Sequence, residues 1–518
     1  SRSKLSSGLF IQRGLSFCRP GISLRFAESS FHLRTMEQRR GYLTPITMNK
    51  HLRDAKYAVR GELVIKALEY QNELDHGNPN NLPFSSVIAC NIGNPQSLGQ
   101  KPITFTRQVL ALMQYPVLAD EYPDLFPEDV VARAKTYLNA WEGGMGSYSH
   151  SQGVSIVRME VSRFITARDG VESLPQNIFL SNGASAAVQS VLTALIGDPC
   201  HGVMIPTPQY PLYSATISLL GGRSVPYILD EADGWGTSAS ELIRAYDEAV
   251  EAGVEVRAIA VINPGNPTGA VLKEDVMEDI LQFCADKDLI LLADEVYQEN
   301  VYGVRPFISF RKVLASMPEI ADEVELYSFH SVSKGFFGEC GQRGGYMEVH
   351  NVDPAIHDEL YKAASISLCS NLSGQVVVGC MVNPPTEGDL SYPIFFQERS
   401  AILTSLARRA ARLASLLNEL EGVSCVSPEG AMYTFPTISL SKTACGAAVT
   451  AGKMPDTFYC LELLQATGIC VVPGSGFGQV DGTWHFRTTF LPPEDDMVEV
   501  MHRMGKFHQT FMDKYRDD

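Results

Sequence analysis

Between residues 177 and 330 the chain repeatedly switches hydrophobic period, and this switching constrains the fold more than any other feature. Asn177-Ile178-Phe179-Leu180 is followed by a helical stretch from Ala184, and Gly202-Val203-Met204-Ile205 by another after Pro211. Ala258-Ile259-Ala260-Val261-Ile262 is followed by one near Glu274, and the apolar runs Leu289–Ala293 and Glu325–Phe329 complete the series. Uniformly apolar strands separated by helices need cover on both sheet faces, which predicts an α/β fold with a mostly parallel sheet. Ahead of this block the pattern predicts helices over Pro127–Trp141 and Val154–Arg168, the second closed by Gly170. Behind it, a long helix from about residue 393 through Glu419 precedes shorter alternating segments, as in a smaller α+β domain.

Composition narrows the function classes. The 518 residues carry a net charge of −17, so nothing general attracts nucleic acid or an anionic membrane. No run of about 18 uncharged apolar residues is present, which argues against a spanning helix. The eleven cysteines form no C-x-x-C pair, and the eleven histidines no H-E-x-x-H, so neither a disulfide framework nor a catalytic metal is expected. Residues 1–40 differ from the rest: Ser- and Arg-rich, with eight basic residues against two acidic. They read as an organellar transit peptide or a disordered leader.

In an open α/β sheet the ligand site lies beyond the carboxyl ends of the strands, so polar residues that follow apolar runs are the candidates. Ser181-Asn182-Gly183-Ala184-Ser185 closes one run and opens a helix, as a phosphate-binding turn or an ordinary cap would. Asn263-Pro264-Gly265-Asn266-Pro267-Thr268-Gly269 forces a rigid loop whose Asn amide can donate to a phenolate or carboxylate oxygen. Asp294-Glu295-Val296-Tyr297 puts a carboxylate at the end of the most apolar run, either solvated or paired with a cation such as a pyridinium. Ser331-Val332-Ser333-Lys334-Gly335 offers an amine that desolvation would make a nucleophile, and Arg343 offers a fork of donors suited to phosphate. Arg487, in His485-Phe486-Arg487-Thr488, is either an internal ion pair or a clamp for a substrate carboxylate. The loop Pro473–Gly478 lacks the surrounding βαβ unit of a dinucleotide fingerprint.

In this order and spacing the motifs resemble those of the class-I, fold-type I pyridoxal-phosphate-dependent aminotransferases, over about residues 45 to 513. Asn91–Gln96 with Gln100–Phe105, Pro208–Tyr213, Ala293–Tyr302, Gly338–Gly341 with Arg343–Tyr346, and Val471–Gly478 narrow the likeness to the alanine and glutamate:glyoxylate aminotransferase group. The resemblance implies pyridoxal 5′-phosphate held covalently on Lys334, which also shuttles the proton at the substrate Cα. Asp294 is expected on the pyridine nitrogen, Tyr297 and Asn266 on the ring oxygen, and Tyr210 stacked on the ring. Ala184, Ser185, Ser331 and Arg343 are expected on the phosphate, and Arg487 with Asn266 and the Gly93 backbone on the substrate carboxylate. Tyr148 is expected to reach the phosphate of a neighbouring subunit, which implies a homodimer.

The implied partners are small amino and 2-oxo acids, with no nucleic acid and no membrane. The implied reaction is ping-pong transamination of L-alanine with 2-oxoglutarate, giving pyruvate and L-glutamate. The alternative is a glutamate:glyoxylate enzyme, and a remote one a non-catalytic binding protein on the same fold. The implied division is a leader at 1–40, an arm and part of the small domain at 41–115, a large cofactor-binding domain at 116–385 and a C-terminal small domain at 386–518. The leader, and a C-terminus that is no S-K-L signal, favour the mitochondrial matrix, with chloroplast or cytoplasm as alternatives.

Overall fold

The computed structural model describes residues 43–44, 46–55, 57, 61–141 and 143–517; the leader at 1–40 lies outside them. Seven strands form the central sheet: β1 (Ile178–Ser181), β2 (His201–Thr207), β3 (Arg223–Ile228), β4 (Glu255–Ile262), β5 (Ile290–Asp294), β6 (Leu326–Ser331) and β7 (Gly345–His350). Their order is β1-β7-β6-β5-β4-β2-β3. All neighbouring pairs are parallel except those of β7, which runs antiparallel to both β1 and β6. The expected mostly parallel α/β sheet is therefore present.

The five apolar runs anticipated from sequence are β1, β2, β4, β5 and β6, and the two strands it did not anticipate have a physical reason. β3 is an edge strand in which only Val225 and Tyr227 are buried, so it lacks a continuous apolar run. β7 carries Glu348 in its interior, buried and hydrogen-bonded by the Ser173 hydroxyl at 2.5 Å.

Alternation along the strands divides the core in two. On β4, Ala258, Ala260 and Ile262 pack with helices Ala184–Leu195 and Leu212–Leu220. Ile259 and Val261 pack on the other face with helices Ala239–Glu251 and Glu274–Lys287. A strand buried on both faces disfavours polar side chains in its interior, so most of them collect at its ends.

The expected flanking helices form over Glu128–Ala140, with Pro127 at the N-cap, Ser155–Asp169, closed by Gly170 at φ 75°, and Tyr392–Leu417. A separate core joins Leu63, Ala67 and Cys90 to residues between Leu406 and Phe511. In the same region Ile88–Ala89 pairs in parallel with Ile469–Cys470, and Tyr433–Thr434, Phe486–Thr489 and Val472–Pro473 form a small antiparallel sheet. Among the described residues no helix is long and apolar enough to cross a membrane.

Leu292 is fully buried in β5, so Leu292→Ala should cost about 2–5 kcal/mol in denaturant unfolding. Val304 is fully exposed, and Val304→Ala should change stability by no more than about 0.5 kcal/mol in the same experiment.

Candidate active site

Beyond the carboxyl ends of β2, β4, β5 and β6 lies a cavity of about 330 Å³. Gly93, Ala184, Ser185, Tyr210, Asn266, Asp294, Tyr297, Ser331, Lys334, Arg343 and Arg487 all line it. These residues come from positions up to 394 apart in the chain, and the strand ends bring most of them together. Tyr148 is elsewhere: it is not among the lining residues and is 76% exposed.

Asp294 is the last residue of β5 and is buried. The Tyr213 hydroxyl donates to its Oδ2 at 3.1 Å and the Val296 N–H to its Oδ1 at 3.4 Å. Among the described residues no Lys, Arg or His forms an ion pair with it. Burial consequently pushes its carboxyl up to about 6, against the opposing pull of these donors and of Lys334. The sign matters: a carboxyl raised on folding favours the folded chain at low pH, and that contribution is lost as pH rises through about 6.

The opposite charge gathers around the turn after β1. Helix Ala184–Leu195 starts at Gly183, φ 77°, with no side chain capping its first N–H groups. The Arg343 guanidinium lies against Gly183, where a Cβ would collide with it. It donates to the carbonyls of Asn182 and Cys340 at 3.0 Å each, and to the Ser333 hydroxyl at 3.3 Å. Ser331 Oγ donates to the Gly344 carbonyl at 3.2 Å. Arg343 itself has φ 50°, an uncommon backbone state for a long side chain and one often found where function fixes the geometry. An uncapped helix start, an arginine and serine hydroxyls form a suitable receptor for a phosphate.

Lys334 Nζ donates to the Gly93 carbonyl at 2.9 Å and lies 5.6 Å from the centre of the Tyr297 ring. A side chain at Gly93 would collide with both the Lys334 amine and the Tyr433 hydroxyl. Asn266 Oδ1 accepts from Arg487 Nη1 at 3.0 Å, which aims the Asn266 amide nitrogen at the Tyr297 hydroxyl, 3.4 Å away. Burial holds the Tyr297 phenol well above its usual range, so it remains a donor.

Arg487 is only 1% exposed. Its Nη2 donates to the Asn91 carbonyl at 2.5 Å, its guanidinium stacks on Tyr433 and Phe477 at 4.1 and 4.7 Å, and its Nε has no partner. Among the described residues it pairs with no carboxylate, so the internal ion pair open to it on sequence grounds does not form. A buried guanidinium without an acid is a receptor for an incoming one.

This donor set fits pyridoxal 5′-phosphate. Asp294 lacks the cation that a pyridine N–H supplies, the turn after β1 with Arg343 accepts a phosphate, Tyr297 and Asn266 offer donors for a ring oxygen, and the Lys334 amine lies beside them. Sequence reasoning gave no role to Tyr213, Ser333, Tyr57, Cys340 or Tyr433, which also contact these groups or line the cavity. Tyr213 and Ser333 lie inside motifs already recognised. Tyr57, whose hydroxyl is 2.7 Å from that of Tyr210, and Tyr433 arrive from distant segments with no local signal. One group of metal-type side chains, Cys200, His201 and Glu255, lies at the other end of β2 and β4. There His201 Nδ1 already accepts from the Gly197 and Asp198 N–H groups, and Glu255 is paired with Arg257 at 2.7 Å.

Residues 117–504 match the family model described as aminotransferase class I and II. A protein named probable alanine aminotransferase, mitochondrial, from Dictyostelium discoideum is 51% identical over 90% of this chain and 89% of its own length. Glutamate–glyoxylate aminotransferase 2 of Arabidopsis thaliana is 50% identical over 91% of this chain and 97% of its own. Among solved structures, an alanine aminotransferase from Pyrococcus furiosus superposes with a TM-score of 0.71 at 24% identity, covering 89% of this chain and 99% of that one, and carries the same fold. With the family model spanning most of the chain and relatives at half identity along nearly all of it, this chain belongs to the aminotransferase class I and II family, whose enzymes work with pyridoxal phosphate.

Proposed function

We propose that the protein transfers the amino group of L-alanine to 2-oxoglutarate, releasing pyruvate and L-glutamate in a ping-pong cycle. The observation that carries this reading is Arg487, a buried guanidinium with an unpartnered Nε and, among the described residues, no carboxylate paired with it, in the same cavity as Lys334 and Asp294. The names of relatives at 46–51% identity, alanine aminotransferases of Dictyostelium, Arabidopsis and Xenopus, support the choice of donor.

Bound pyridoxal phosphate supplies an electron sink that stabilises the charge left when the substrate Cα loses its proton. The protein's own residues do the rest. Arg487 receives the α-carboxylate through its forked donors, with the Gly93 backbone and Asn266 beside it. That contact would set the Cα near Lys334, whose amine would take the Cα proton and hold it for return. Asp294, ionised against the pyridine N–H, keeps that nitrogen protonated. Tyr297 and Asn266 hold the ring oxygen, Tyr210 stacks on the ring, and Ala184, Ser185, Ser331 and Arg343 fix the phosphate. Alanine, pyruvate, glutamate and 2-oxoglutarate all carry an α-carboxylate, so one arginine serves both half-reactions.

A second reading, with glyoxylate as acceptor, is supported by the two Arabidopsis relatives named glutamate–glyoxylate aminotransferases, at 50% and 51% identity. Comparing kcat/KM for 2-oxoglutarate and glyoxylate, with alanine and glutamate as donors, separates the two. The principal reading requires alanine with 2-oxoglutarate to be the faster pair, and preference for glyoxylate would replace it.

The same reading extends to organisation. It divides the chain into a large sheet domain and a smaller domain assembled from both ends, supported by the core that joins Leu63 and Ala67 to residues 406–511. It places Tyr148 at the phosphate of a second copy in a homodimer. Supporting this, Tyr148 and Ile366 are 76% and 83% exposed, and the nearby His150 ring stacks on Tyr361 at 5.2 Å. It assigns the protein to the mitochondrial matrix, as the names of several relatives and the acid-poor leader suggest.

Three outcomes are expected. Arg487→Met should raise KM for alanine and for 2-oxoglutarate together, by at least about 30-fold, because both lose the same carboxylate partner. A rise for only one substrate would show that Arg487 does not serve both. Cofactor affinity of the stripped protein should fall as pH drops through about 6, because the proton on Asp294 must leave before the carboxylate can pair with the pyridine N–H. Titration by fluorescence should find that dependence absent in Asp294→Asn, and a wild-type affinity that is flat across this range would rule the pairing out. Finally, coexpressed Tyr148→Phe and wild-type copies should form dimers by sedimentation, with cofactor loss faster in proportion to the variant; a monomeric wild type contradicts the shared phosphate site.

A further inference from the structure

Among the buried tyrosines that line the cavity, the proposed mechanism leaves Tyr433 without a task. Tyr433 is 2% exposed, on the short strand that pairs with Phe486–Thr489, and sequence analysis assigned it nothing. Its hydroxyl and the Lys334 amine converge on the same point: a Cβ built on Gly93 would collide with both. A chain of donors also ends on it. The Asn266 amide points to the Tyr297 hydroxyl, and the Tyr297 hydroxyl donates to Tyr433 at 3.4 Å. The Tyr433 oxygen is therefore the acceptor at the end of that chain, beside a lysine amine. Beneath its ring lies the Arg487 guanidinium, 4.1 Å from the centroid.

We propose that Tyr433 is a positioning residue for Lys334: when the lysine is not bonded to cofactor, the Tyr433 oxygen takes a proton from its ammonium and returns it, while the ring seats Arg487. The exchange balances within the pair. Ammonium and phenolate become amine and phenol, the N–H bond breaking as the O–H bond forms, with no proton released to solvent. A lysine that must abstract the Cα proton has to be a neutral amine at that moment, and the Tyr433 oxygen beside it gives the departing proton an acceptor. The charged and titratable groups facing the phenol are Lys334, Arg487, Tyr297 and Tyr210. Burial alone would raise it, but Lys334, Arg487 and the donated Tyr297 hydroxyl together bring it below its ordinary range. Tyr297 and Tyr210, the other phenols facing it, are both held well above theirs, so they stay protonated. Seating Arg487 on the same ring ties the carboxylate receptor to the proton carrier.

This inference rests on the proposed transamination at the same site, but its test includes a measurement that needs neither cofactor nor substrate. In the full chain stripped of cofactor, ultraviolet difference absorbance should show one phenol ionising below the ordinary tyrosine range of about 10. Tyr433→Phe should abolish that signal, and Lys334→Met should move it to higher pH. In the loaded enzyme Tyr433→Phe keeps the ring beneath Arg487, so kcat should fall about 10- to 100-fold, its pH profile should shift, and KM for alanine should stay within about twofold. Tyr433→Leu, which also removes the ring, should raise KM as well. A wild-type titration with no early phenol, or one unmoved by Lys334→Met, overturns the proton partnership whatever the substrate proves to be. So does a Tyr433→Phe enzyme with unchanged kcat and pH profile, or with a change in KM alone. Absence of alanine turnover in wild type with the early phenol present would instead sink the substrate reading.

Discussion

Two buried groups lining the cavity, Asp294 and Arg487, form no ion pair among the described residues, and the chemistry of the site depends on them. Asp294 ends the innermost apolar strand with only the neutral donors of Tyr213 and Val296 bonded to it, and Arg487 lies nearly inaccessible with a free Nε and, among the described residues, no acid paired with it. Leaving either group in that state costs free energy that a chain selected only for stability would avoid. Each becomes reasonable when the missing partner is a ligand: a pyridine N–H for the carboxylate, an α-carboxylate for the guanidinium. In the proposed function, cofactor and substrate complete the other half of this charge network.

The sheet explains why those charges are where they are. Strands β4 and β5 are covered on both faces, so their interiors exclude polar side chains and the ends collect them. Asp294 closes β5, and the Asn263–Gly269 loop departs from the end of β4. Lys334 follows the end of β6 by three residues. Arg487 reaches the same cavity from the small antiparallel sheet, and its bond to Asn266 Oδ1 fixes the amide that faces Tyr297. In the proposed function, binding a carboxylate at Arg487 and orienting the donor to the ring oxygen are therefore connected through one asparagine.

Much of this could be read from sequence because it follows local rules. The apolar runs that became β1, β2, β4, β5 and β6 announce themselves by period, and the polar residues after them by position. β3 and β7 escaped because one is a half-exposed edge and the other buries a glutamate, so neither carries the continuous apolar signature. Within the site, Asp294, Lys334 and Arg343 stood out from their neighbours. Tyr433 and Tyr57 did not, since a tyrosine in an ordinary apolar context gives no sign that the fold will bring it to a lysine or to another tyrosine from a distant segment. Tyr148, drawn from the resemblance rather than from local pattern, is the one proposed site residue outside the cavity lining.

The most direct measurement adds L-alanine to the cofactor-loaded protein and follows the cofactor's visible absorption together with pyruvate release, in wild type and in Lys334→Ala. The account predicts that in wild type the absorption changes with one pyruvate per site and that 2-oxoglutarate restores it, while Lys334→Ala does neither at a comparable rate. No change with alanine, or restoration by glyoxylate but not by 2-oxoglutarate, would contradict it.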